Sequence, residues 1–427
     1  MSTTGAHGHR TQHGPGAAEA AADALRSTHA IRERCGQLLA RARAGGSAWF
    51  TVDDDAIGAA AREVADLTRK RFSRGPIPFH SRWRHLEAGG VDRRAQLESL
   101  LGDVPKAKRA EAMVDLTFIS VLLDAGSGPD WTYTESATGQ TYTRSEGLAV
   151  ASFHAFTSGM FSSDRNQPLQ ADAQGLRALS TDHLAAAFQV RENNPLVGLE
   201  GRAVLLRRLG EVMHEQPEVF GQHVQRPAGI YDQIMAPSPE LAPTADVAAH
   251  DILSQVLASC SGIWPADNAI AGVPLGDCWR HPAVRGDGLS DGWVPFHKLS
   301  QWLTYSLLEP FAWSGAKLRG IEQLTGLPEY RNGGLLLDTG VLRLRDPAAA
   351  QQVWKPGDEI IVEWRALTVS LLDELAVQVR KLLHTDEHKM PLACVLEGGT
   401  WAAGRELAQR HRNGLPPLQV ASDGTVF

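Results

Sequence analysis

The sequence predicts a mainly α-helical protein. Apolar residues recur at helical spacing over most of the chain beyond residue 16, and capping residues and glycine stops bound those stretches. Only one segment alternates clearly in the manner of paired strands.

Residues 1–16 are rich in Gly, His, Ser and Thr without apolar periodicity, and are expected to form a disordered tail. An Ala/Leu/Arg pattern predicts a helix over 17–44, and an acidic cap at Asp53 to Asp55 opens another, running to about Arg71. The Pro-rich stretch from Gly75 to His85 cannot continue a helix. It gathers His80, Arg82, Arg84 and His85 around Trp83, which suits an anionic ligand and equally an interdomain contact. Lys106 to Asp124 reads as an amphipathic helix. Trp131 to Glu135 and Thr141 to Arg144 flank a Gly-containing turn and predict a β-hairpin. Beyond Ala171 the pattern is almost entirely helical. Pro356 to Leu383 is the longest such stretch and carries Glu363 and Arg365 early.

The chain centres on Trp293 to Arg331. A helix over Phe296–Leu308 places Phe296, Leu299, Leu303 and Leu307 on an apolar stripe, with Lys298, Gln301 and Tyr305 opposite. That polar row faces either a cleft or water. Asn332, Gly333 and Gly334 open a further helix, so Glu329 and Arg331 fall in its entry turn, where free backbone N–H groups attract an anion. A carboxylate there caps the helix or serves chemistry; spacing alone leaves both open.

Composition narrows the function classes. With 43% hydrophobic and 21% charged residues over 427 positions, the chain reads as an ordinary globular protein. Its net charge of -7 argues against binding a nucleic-acid polymer, which needs a clustered positive surface. Cys35, Cys260, Cys278 and Cys394 are widely spaced, which suggests buried, reduced thiols. With no apolar run of about 18 residues and no signal peptide, a cytoplasmic protein with no membrane partner is expected. Phosphate-binding, dinucleotide-binding and zinc-protease signatures are missing, so neither metal nor cofactor is expected. What remains is carboxylate chemistry among basic groups. It suits hydrolysis through a cation-like sugar transition state, and equally a structural ion-pair network.

Several runs carry a family resemblance. Ser81-Arg-Trp-Arg-His, Leu122-Leu-Asp-Ala-Gly, Val294-Pro-Phe-His-Lys-Leu-Ser-Gln-Trp, Leu327-Pro-Glu-Tyr-Arg-Asn-Gly-Gly, Leu396-Glu-Gly-Gly-Thr-Trp and the closing Ser422-Asp-Gly-Thr-Val-Phe resemble the uracil-catabolism protein family, number four in its fungal pathway. That resemblance implies a place in a pyrimidine-degrading route that passes through ribosylurea-type intermediates and releases urea. From about Leu196 onward the motif order is also similar to the queuosine-nucleotide N-glycosylases, where an Asp stands at the position of Glu329 and a Lys at that of Lys298. This second likeness implies a helix-hairpin-helix DNA-glycosylase-like core over 166–427, behind an N-terminal helical lobe with the hairpin over 17–165.

Together the two imply an N-glycoside hydrolase that cleaves ribosylurea or its 5-phosphate to urea and ribose or its phosphate. Glu329 would stabilise the oxocarbenium-like centre or position water, and His297 would protonate the departing nitrogen. Lys298, Arg331, Arg82 and Arg84 would hold the phosphate, with Gln301, Tyr305, Glu363 and Arg365 completing the substrate set. Two other expectations stand beside it: a hydrolase of a uridine nucleotide or another ring-opened nucleoside, and a non-catalytic nucleotide-binding partner in the pathway.

Overall fold

A helix surrounded by other helices has no solvent side, and the helix Lys106–Leu122 is in that position. Every residue from Ala110 to Leu122 is buried. In this computed structural model, which describes residues 16–236, 246–264 and 268–421, it packs on Arg144–Thr157, Leu199–Glu215, Gly229–Met235 and Lys298–Ser314. The amphipathic reading of this segment is therefore corrected. Its polar residues face partners inside: Asp115 accepts from the backbone N–H groups of Ala171 and Ala228 at 3.1 and 2.9 Å and pairs with Arg226 at 2.7 Å.

The helix Lys298–Ser314, here the central helix, is its main neighbour and is buried from Leu299 to Leu308. It begins where His297 turns into the left-handed region at φ 48°, and it ends at Gly315 with φ 108°. The polar row read from the sequence faces neither cleft nor water beyond its first residue. Gln301 donates to Thr325 Oγ1 at 2.8 Å and Tyr305 to the Thr325 carbonyl at 2.9 Å, both fully buried against the loop that leads to Glu329.

The protein is mainly helical, with a few small two-stranded sheets. The helix predicted over 17–44 is two, Ala17–Leu25 and Thr28–Arg43, because Ser27 leaves the helix and caps the second one by accepting from Ala30 N at 3.1 Å. The hairpin pairs Thr132–Thr134 with Thr141–Thr143, Tyr133 opposite Tyr142. Other pairings join segments far apart in the chain: Phe50–Val52 with Leu342–Leu344, Asp246–Ala248 with Lys317–Arg319, and Val353–Trp354 with Gln419–Val420. One hydrophobic cluster runs from Leu39 to Leu418 and takes residues from both sides of position 165. The expected tail, apart from Gly16, and the closing run from Ser422 lie outside the described residues. All four cysteines are buried and unpaired. Among the described residues no helix is long and apolar enough to cross a membrane.

Near the C-terminus the helix Leu392–Val395 widens into a π turn over Leu396–Thr400 and continues as Trp401–Arg412. Two glycines let this rod touch its neighbours. A Cβ on Gly399 would lie 2.5 Å from the Val64 carbonyl oxygen, and one on Gly404 would lie 2.0 Å from that of Arg331. The second contact is backbone on backbone, so no side-chain rotation relieves it. Gly404→Ala is therefore expected to lower stability by about 1–3 kcal/mol through overpacking. Gly36→Ala, on a helix with nothing within 4 Å of the added carbon, is expected to be neutral or stabilising. Urea midpoints of the two variants check the contrast; equal midpoints would contradict it.

Candidate functional site

The site is assembled around Asp277, which precedes the strand Cys278–Arg280; that strand pairs with Trp293–Pro295, the approach to the central helix. Its Oδ2 accepts from the backbone N–H of Lys298 at 2.9 Å, and its carbonyl accepts from Phe296 N at 2.9 Å and His297 N at 3.2 Å. Both carboxylate oxygens also receive Arg365, at 2.7 and 2.8 Å, and Trp279 Nε1 donates at 2.7 Å. Burial pushes the Asp277 carboxyl up, but Arg365 and these donors outweigh it and bring it down to about 2. Arg365 Nε reaches on to the Pro328 carbonyl at 3.3 Å. One buried ion pair thus fixes both the first residue of the central helix and the residue before Glu329.

Glu329 caps the helix Tyr330–Asp338. Its two oxygens accept from Arg331 N at 2.7 Å and Asn332 N at 2.6 Å. The side chain looks into a cavity of about 370 Å³ that Lys298, Arg331, Tyr330, Arg144, Asp124, His80, His85, Trp302 and Trp401 also line. Burial raises the Glu329 carboxyl above its ordinary value, and the two backbone N–H groups and Lys298 oppose the rise. Burial likewise lowers the Lys298 ammonium, against the pull of Glu329. Among the described residues the Lys298 ammonium forms no hydrogen bond or close ion pair, so its charge is presented to the cavity.

The opposite wall is aromatic. The His80 ring centroid is 4.6 Å from Trp302 and 6.4 Å from Trp401; that of His85 is 5.9 and 6.2 Å from the same two rings. His85 is pushed down to about 4 by burial and by the Arg82 guanidinium 3.3 Å from its Nδ1, so it is neutral at pH 7. His80 Nδ1 lies 2.9 Å from Glu397 Oε2, and Arg71 holds the other oxygen at 2.9 Å. The cavity therefore combines charged groups with planar aromatic surface.

A family model described as a protein of unknown function, DUF1688, matches residues 24–427. The chain belongs to that family. It is 39% identical over 412 residues to protein urg3 of Schizosaccharomyces pombe, covering 94% of this chain and 98% of the relative. It is also 39% identical over 381 residues to uracil catabolism protein 4 of Lachancea kluyveri, covering 82% and 85%.

Of the residues singled out in the sequence, Glu329, Lys298 and Arg331 meet in the cavity. Arg82 stands behind its wall, where it holds Asp124 at 2.9 Å, Ser120 at 2.8 Å and His85. The others lie elsewhere. His297 is turned under the N-terminal helix, with Nε2 3.0 Å from the Leu25 carbonyl and 3.6 Å from Cys278 Sγ, so it faces away from Glu329. Arg84 pairs with Glu309 at 2.7 Å beside a separate surface hollow. Gln301 and Tyr305 are spent on Thr325, and Arg365 on Asp277 and Pro328.

Glu363 is buried between Arg41 and His281, each at 3.3 Å. His281, Glu359 and Glu363 form a triad of metal-ligand type. The tautomer argues against an ion there: His281 Nδ1 accepts from Ala283 N at 3.1 Å, so Nε2 carries the proton and donates to Glu363.

Sequence reasoning missed Asp124, Arg144, Trp302 and Trp401, and did not separate His80 and His85 from their basic loop. Arg144 left a faint trace as the residue joining the hairpin to a helix, where the backbone takes φ 53°.

The Asp277 carboxylate takes two hydrogen bonds from the buried Arg365 guanidinium. Asp277→Ala is expected to cost about 3–5 kcal/mol in urea unfolding. The Asp277 carboxyl is held below its unfolded value near 3.8, so the stability linked to it is complete above about pH 4 and is lost as pH falls towards 2. An acid titration of stability in which wild type and variant fall in parallel through that window would refute the assignment.

Proposed function

We propose that this protein is an N-glycoside hydrolase of uracil catabolism that cleaves the C1–N bond of ribosylurea 5-phosphate, giving urea and ribose 5-phosphate. The pathway is taken from the name of one relative, uracil catabolism protein 4. The observation that supports the reaction best is Glu329: a carboxylate held at a helix mouth on the wall of a small cavity, beside an ammonium with no closer partner.

In this reading the C1–N bond breaks with its electron pair going to nitrogen, and positive charge spreads over C1 and the ring oxygen. Glu329 lies against that charge. Each of its oxygens accepts one backbone N–H and keeps a further lone pair, so it can also take the proton of the water that attacks C1. A carboxyl raised by burial is a better base near neutrality than an exposed one. Lys298, Arg331 and Arg144 supply the positive field for the phosphate. The aromatic wall accepts a planar ureido group. It would accept a pyrimidine ring by the same stacking, so uridine 5-phosphate is the comparison substrate.

The test is urea release from ribosylurea 5-phosphate, read through coupled urease. Glu329→Gln is expected to slow turnover by about 10²–10⁴-fold; full activity in that variant, or no urea from wild type, would reject the proposal. The pH profile carries a second expectation. Activity requires the Glu329 anion and is lost as pH falls through its raised pKa, which puts the acid limb above the usual carboxylate range. Lys298 must be charged to hold the phosphate, so KM is expected to rise at a pH below the usual lysine range, and that dependence disappears in Lys298→Met.

A further inference from the structure

Cleavage of a ureido C1–N bond needs a second group, because a urea anion is a poor leaving group. The cavity holds a candidate that no comparison assigns. We propose that His80 is the general acid of this site, donating the proton from Nε2 to the departing urea nitrogen while Glu397 holds its ring; this rests on the glycosidase reading above.

Four observations carry the assignment. His80 lines the same cavity as Glu329, with only 6% of its surface exposed. Its Nδ1 lies 2.9 Å from Glu397 Oε2, so Nδ1–H donates to the carboxylate and Nε2 is the nitrogen left to face the ligand. Nε2 has no hydrogen-bond partner among the described residues. The ring is fixed on its other sides as well, by Trp302 against its face and by its own backbone N–H donating to the Ala393 carbonyl at 2.9 Å.

Glu397 is itself built to hold a histidine. It sits in the π turn over Leu396–Thr400, a form that recurs at functional sites. Arg71 ties that turn down, bonding a Glu397 side-chain oxygen, the Glu397 carbonyl and the Gly398 carbonyl. The competing histidines are unsuited: His85 Nδ1 accepts from the Arg82 guanidinium, so that ring is held neutral and cannot act as an imidazolium, and His297 points to Leu25.

The step balances. With His80 as the imidazolium, the C1–N pair moves to nitrogen and the Nε2 proton moves with it, releasing neutral urea and leaving a neutral ring with Nδ1–H on Glu397. Water forms the C1–O bond and its proton goes to Glu329. Exchange with solvent then returns a proton to His80 and removes one from Glu329.

The test compares ribosylurea 5-phosphate with 4-nitrophenyl riboside 5-phosphate, whose nitrophenolate departs without a proton. His80→Gln is expected to lower the ratio of urea to nitrophenolate kcat, each at saturating substrate, by about 10²–10³-fold. Glu397→Gln is expected to follow the same pattern with a smaller loss. Nitrophenolate release also reports that the variants are folded. Equal slowing of both substrates in His80→Gln, or slowing of neither, would overturn the acid role, while loss of both activities in Glu329→Gln would leave the glycosidase reading in place. Failure of the wild-type protein to cleave either compound would overturn that reading and the acid role with it.

Discussion

The Asp277–Arg365 ion pair is the constraint on which the site depends. Each charge is out of water, and a pair of this kind is tolerable only when its remaining hydrogen-bonding capacity is satisfied. Trp279, the Lys298 N–H and the Pro328 carbonyl do this, and the Arg365 guanidinium also stacks 4.2 Å over the Phe296 ring. The Lys298 N–H and Phe296 belong to the start of the central helix, and Pro328 to the turn before Glu329. An apolar replacement of the pair could fill the same volume, but it would leave the start of the central helix and the Glu329 turn without a common anchor.

A second buried cation does the same for the opposite wall. Arg82 is fully buried and bonds Asp124, Ser120, the Ser145 carbonyl and His85. Asp124 and Ser145 follow the Lys106–Leu122 helix and the hairpin, and both line the cavity. Neither Arg82 nor Arg365 lines the cavity, and each sets residues that do. Of the basic residues singled out in the sequence, Lys298 and Arg331 line the cavity, while Arg82 and Arg365 hold the scaffold behind it.

What was legible in the sequence follows from the range of the interactions. Helix content, the hairpin and the Glu329 cap are local: they depend on periodicity, turn residues and a side chain reaching two or three positions along. The strand pair Phe50–Val52 with Leu342–Leu344 depends on residues from opposite ends of the chain, and three-residue strands carry too little pattern to announce themselves. Lys298 and Glu329 were found because they lie close in sequence. The wall was not, since His80, Asp124, Arg144 and Trp401 come from four distant segments and meet only after folding. His297 was misplaced for a different reason. Adjacent to Lys298, it takes the left-handed conformation at the helix start, which turns its ring under the N-terminal helix while Lys298 follows the helix towards the cavity.

The two glutamates of the site show how one fold gives the same side chain opposite properties. Burial pushes both carboxyls up. At Glu397 the contacts with His80 and Arg71 outweigh it and leave the carboxyl below its ordinary value. At Glu329 burial prevails over two backbone N–H groups and the more distant Lys298. A carboxylate that stays charged across the neutral range suits orienting an imidazole and poorly suits taking up a proton; a carboxylate raised by its surroundings has the reverse aptitude. In the proposed reaction the first holds the acid and the second serves as the base, so the division of labour follows from which glutamate has an imidazole and a guanidinium in direct contact.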